Sequence, residues 1–86
     1  MKERIRELRL SYKKLFGDDV YNKSHIEITD GNEIVLSANR EGLLLLVEEI
    51  LVLCEKDQIG AHYHLDEAGM ANKCEKPFII QLQSEQ

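Results

Sequence analysis

The chain has 86 residues, enough for one small domain (1–86) with a thin core. Apolar residues make up 43% and charged residues 31%, with five Gly and one Pro, a composition that excludes disordered, collagen-like and linker-like chains. The net charge of −5 is uneven: residues 1–16 hold six basic and two acidic groups, and the rest of the chain holds five basic and fourteen acidic ones.

Residues 2–16 read as an amphipathic helix. Ile5, Leu8, Tyr12, Leu15 and Phe16 form one stripe, the basic side chains lie mostly off it, and Gly17 supplies a stop. A polar connection follows through about residue 23. A core unit, residues 25–83, then begins with a hairpin. Ile26 and Ile28 alternate with Glu27 and Thr29, and Ile34 and Leu36 alternate with Glu33 and Val35. Asp30-Gly31-Asn32 is turn chemistry, and a loop at 30–32 pairs Ile28 with Ile34 and Ile26 with Leu36 on one face.

Ser37 or Asn39 can cap a long helix over 40–56. Leu43, Leu46, Val47, Ile50 and Cys54 centre its apolar face, with Glu48, Glu49, Glu55 and Lys56 opposite. Leu45 and Val52 sit amid that charged side, so either the N-terminal helix covers them or they form a seam for self-association as a homodimer. Residues 61–65 read as a strand, with Tyr63 and Leu65 on one face and His62, His64 and Asp66 on the other. A polar loop over 67–76 leads to a last strand, where Phe78, Ile80 and Leu82 share a face. Residues 84–86 are expected to fray. The fold class is therefore α+β in the order α-β-β-α-β-β. The expected architecture is a four-stranded sheet packed on the long central helix, with the N-terminal helix beside that layer. The helix between the second and third strands is long enough for a right-handed parallel crossover.

The sequence offers little catalytic chemistry. Gly31 lies in a hairpin and Gly60 precedes a strand, so no phosphate-cradling loop forms. Cys54 and Cys74 have nineteen residues between them and no CxxC pair, which speaks against a zinc ribbon or a thioredoxin-like site. The Met1-Lys2-Glu3-Arg4 start carries no apolar signal region, so both are expected as free thiols in a reducing, cytoplasmic compartment, with Cys54 buried on the helix stripe. The longest apolar run, Leu43 to Val47, is far short of the roughly 20 residues that cross a membrane. An acidic body repels nucleic acid and attracts a basic partner.

The one notable constellation is His62-x-His64-x-Asp66. Two histidines at i and i+2 can reach one transition metal, but the outer two groups lie about 13 Å apart on a straight strand. The same side chains can equally serve as a solvated sheet face or a recognition surface.

From Gly31 to Leu82 the chain resembles a family of small bacterial immunity proteins from polymorphic toxin systems, immunity protein 32. The resemblance rests on Glu33-Ile34-Val35-Leu36, on Asn39-Arg40-Glu41-Gly42-Leu43 at the helix start, on Gly60-Ala61-His62-Tyr63-His64-Leu65-Asp66-Glu67, and on Phe78-Ile79-Ile80-Gln81-Leu82. It implies a non-enzymatic protein, without cofactor, that binds and blocks a toxin made by the same cell. The partner-binding candidates are His62, His64 and Asp66 on the sheet and Glu48 and Glu55 on the helix. The alternative is a metal-binding protein using His62 and His64.

Overall fold

The computed structural model describes residues 1–84. The chain opens with helix α1, Lys2–Phe16. Gly17 closes it at φ 59°, and its N–H donates to the Lys13 carbonyl at 2.8 Å, as its position in the sequence predicts. The face that α1 buries is narrower than its apolar stripe. Tyr12 is buried and Ile5 and Arg9 are half-buried, whereas Leu8 and Leu15 point to solvent. Tyr12 also packs on Phe16, with ring centroids 4.9 Å apart. The expected polar connection is instead a short helix, α2, Asp19–Lys23, which buries Val20.

Strands β1 (Ile26–Asp30) and β2 (Ile34–Ala38) form the hairpin. Its register differs from expectation by two residues: Ile28 faces Leu36, Ile26 faces Ala38, and the loop is Gly31–Glu33. Because the shift is even, every side chain keeps its face. The Gly31 N–H donates to the Glu33 carbonyl at 3.1 Å, closing the loop one residue later than turn composition alone implies. Helix α3 spans Arg40–Cys54, followed by β3 (His62–Leu65), the two-residue β4 (Lys73–Cys74) and β5 (Phe78–Gln81).

The strands do not form one four-stranded sheet. They form a three-stranded sheet in the order β2-β1-β4 and a separate antiparallel pair, β3-β5. The expected crossover between the second and third strands is absent, because β2 and β3 belong to different sheets. The parallel pair is β1 with β4, Glu27 beside Lys73 and Ile28 beside Cys74. The stretch expected as a polar loop thus supplies a strand, and it also buries Ala71. Ile26, Ile28, Leu46, Leu65 and Ala71 meet in the core, and Leu36, Tyr63, Phe78 and Ile80 pack around them.

Helix α3 is turned relative to its most apolar stripe. Gly42, Leu45, Leu46 and Leu53 are buried, whereas Leu43, Val47, Ile50 and Cys54 are exposed. Of the five residues expected to centre the core face, only Leu46 is therefore buried, and Cys54 is a free, exposed thiol rather than a buried one. The reason is that α3 is covered from two directions, by the strands and by α1 with α2. Leu45 is only 4% exposed, and the side that it shares with half-buried Val52 is occupied by α1. The seam expected for self-association is thus covered by the chain's own helices.

Two asparagines tie β1 into place. Asn39, the N-cap of α3, accepts from the Gly42 N–H at 2.8 Å and the His25 N–H at 2.9 Å, while its amide donates to the Lys23 carbonyl at 2.8 Å. The Asn72 side-chain oxygen accepts from the Ile26 N–H at 2.9 Å, and the Asn72 main-chain N–H donates to the Ile26 carbonyl at 2.8 Å. Asn39→Ala removes a cap and two further bonds, so it is expected to cost about 2 kcal/mol in a urea titration, at the upper end for cap deletions. Asn39→Asp keeps the acceptor and is expected to recover at least half of that loss.

Candidate partner-binding site

Strand β3 alternates its side chains, so Tyr63 and Leu65 turn to the core and His62 and His64 turn to solvent. Cross-strand partners share a face, and the register sets His64 opposite Ile79 and His62 opposite Gln81. The outer face therefore carries two imidazoles, an amide and an isoleucine that is 50% exposed.

The two rings are fixed against each other. Their centroids are 4.8 Å apart at 78°, and Nε2 of His62 lies 3.2 Å from Nε2 of His64. His62 Nδ1 is 3.0 Å from the Gly60 carbonyl. A carbonyl can only accept, so His62 donates from Nδ1, and in the neutral ring its Nε2 is left to accept from the His64 Nε2–H. Asp66 lies just past the strand end. Its Oδ1 accepts from the Gly69 N–H at 2.8 Å, which turns the chain sharply toward β4. His62, Tyr63, His64, Asp66, Ala68 and Gly69 line one open depression of about 380 Å³. Gly69 lies close to the strand, and a Cβ there would stand in a tight contact 3.2 Å from the His64 carbonyl.

The helix candidates lie elsewhere. The Glu55 carboxylate accepts from Arg9 and from Arg6, the latter at 3.2 Å, and its side chain is only 11% exposed. Burial raises the Tyr12 pKa and the Glu55 hydrogen bond raises that of Arg9, and nearby Glu48 adds a smaller push in the same direction to each. The Tyr12 hydroxyl donates to the Leu44 carbonyl in the same seam. Glu48 and Glu55 thus belong to the α1–α3 junction, where part of the basic charge of α1 meets the acidic body. The structure gathers His62, His64 and Asp66 and sets the two glutamates apart from them. Ile79, Gln81, Ala68 and Gly69 were missed from sequence, because they join the site only through the β3–β5 register and the Asp66 turn.

The Arg9 hydrogen bond, with a smaller share from Arg6, holds the Glu55 carboxyl below the usual carboxylate range. A lowered folded-state pKa gives stability that is complete above the unfolded value and is lost as pH falls through the folded one. Glu55→Gln is therefore expected to flatten the acid limb of a stability–pH curve. Burial, with Glu48 second, pushes Glu49 the other way. Its charge costs stability at neutral pH, and that cost is relieved as the carboxyl protonates, so Glu49→Gln is expected to be stabilising near pH 7.

Among the described residues, no group of three His, Cys, Asp or Glu side chains is placed to hold a metal ion. The metal-binding alternative on His62 and His64 therefore lacks a third ligand, and the two rings bond each other and the main chain. No helix among the described residues is long and apolar enough to cross a membrane.

The fold and this face define a small α+β domain with a polar, histidine-bearing surface. Residues 33–83 match the family model for immunity protein 32, and the chain belongs to that family. The matched segment runs from the hairpin loop through β2, α3, β3, β4 and β5. It leaves out α1, α2 and β1, although β1 is the central strand of the larger sheet. No curated protein and no solved structure matches the chain.

Proposed function

We propose that this protein is a bacterial immunity protein that binds a cognate toxin in the cytoplasm and neutralises it stoichiometrically, without catalysis and without a cofactor. The family membership carries this reading. The net charge of −5 supports a basic toxin as the partner, since charge complementarity raises the rate of encounter. The β3–β5 outer face is the contact surface in this reading. His62 and His64 already contact each other and the Gly60 carbonyl, which reduces the side-chain entropy lost on binding, and Ile79 supplies an apolar anchor beside them. Asp66 sits at the rim, and Glu48 acts at long range.

The test is affinity for the proposed cognate toxin. His62→Ala with His64→Ala is expected to weaken binding by about 10- to 100-fold, the effect of losing one or two anchoring contacts. Leu8→Ala, an exposed position on α1, is the control and leaves affinity unchanged. Equal affinity for the double variant and the parent would remove this face from the proposal.

A further inference from the structure

Strand β2 is the outer strand of its sheet. The hairpin register dictates which of its main-chain groups are free. The Asn39 N–H donates to the His25 carbonyl and the Gly31 N–H donates to the Glu33 carbonyl, each at 3.1 Å. Bonded pairs recur every second residue in an antiparallel ladder, so Val35 and Ser37 bond Thr29 and Glu27 across the hairpin. The same alternation aims the N–H and C=O groups of Ile34, Leu36 and Ala38 away from β1. Among the described residues, no strand pairs with that side of β2.

Outer strands are normally guarded by lysine, proline, a bulge or a covering element. Ile34-Val35-Leu36-Ser37-Ala38 has no charge and no proline, and its register with β1 runs without a bulge. At its open end Ile34 and Val35 are 55% and 45% exposed. We propose that this edge pairs with the same edge of a second copy of the chain, antiparallel about a two-fold axis near Leu36. The strand is complementary to itself in that register. Ile34 meets the partner copy's Ala38, Leu36 meets Leu36, and the three free positions on each strand exchange about six main-chain hydrogen bonds. The charges also match. Asp30, Glu33 and Glu75 border one depression at the hairpin tip, and the two-fold brings that tip beside exposed Arg40 at the start of the other copy's α3. This edge is separate from the His62–His64 face, so a dimer would present two copies of that face. The inference does not depend on a toxin.

The test uses the purified full chain alone. Sedimentation is expected to show the mass rising to twice that of the chain between about 5 µM and about 500 µM. Ile34→Pro removes one outward N–H and leaves the β1 ladder intact, so it is expected to keep the native circular dichroism and to weaken association by about tenfold or more. Hydrogen exchange on the parent chain gives a readout free of any folding defect. The Ile34, Leu36 and Ala38 amides should slow as concentration rises, while those of Val35 and Ser37 should not change. A monomer mass at every concentration would overturn the proposal. So would a dimer in which those three amides exchange at rates independent of concentration.

Discussion

Leu65→Ala is expected to remove about 3–4 kcal/mol of stability, within the range for truncating a fully buried leucine. Leu65 has no exposed surface and lies against Ile26, Ile28, Leu46 and Ala71. It is the fully buried side chain of the β3–β5 pair, with Tyr63, Phe78 and Ile80 packing around the same core. Shortening it leaves a cavity lined by side chains from three separate elements, and such a site collapses poorly. A chain of this length has roughly 4–13 kcal/mol in total, so the loss is a large share of the whole. The midpoint of thermal unfolding should fall by about 15–25 °C. Leu15→Ala is the matched control. It is the same chemical change at a position 78% exposed, and it should shift the midpoint by no more than a degree or two. A loss below about 1 kcal/mol at Leu65 would mean that the two sheets do not share this core.

The second large effect falls on Gly42, where local and tertiary preferences disagree. Inside a helix, glycine is about 1 kcal/mol worse than alanine, so propensity alone makes any replacement stabilising. The packing says the opposite. A Cβ at this position would stand 2.7 Å from the His25 carbonyl, 2.9 Å from Ile26 Cγ1 and 3.0 Å from Ala38 Cβ. The carbonyl cannot easily recede, because the Asn39 N–H holds it and the His25 N–H is bound to the Asn39 side chain. Gly42→Ala is therefore expected to cost about 1–2 kcal/mol, and Gly42→Val about 3 kcal/mol, once overpacking outweighs the gain in helix propensity. Denaturant titration of both variants checks the order. A Gly42→Ala protein more stable than the parent would show that the helix start does not press on β1.

These two positions also show where sequence reasoning stops. The hairpin faces, the Gly17 stop, the Asn39 cap and the outward histidines were legible, because each depends on residues within a few places of one another. The orientation of α3 was not. Leu43 to Val47 is apolar without a break, so a period of 3.6 cannot choose one face, and the choice falls to α1 and α2. The same dependence hid the role of Glu55, whose partners Arg6 and Arg9 lie 49 and 46 residues away. The division into two sheets was hidden because β4 is only two residues long and its parallel pairing with β1 carries no turn signal. At the candidate site, His62, His64 and Asp66 were legible as one side of a strand. Ile79 and Gln81 were not, because only the register brings them there.

The proposed immunity function requires stoichiometric inhibition of a partner toxin. The most direct measurement is a titration of the activity of the proposed cognate toxin with the purified chain, at toxin concentrations well above the dissociation constant. Stoichiometric inhibition gives a linear fall to zero activity at one chain per toxin, a shallower fall in high salt, and a weaker effect from the His62→Ala, His64→Ala variant. Undiminished toxin activity at a several-fold molar excess of folded protein would contradict it.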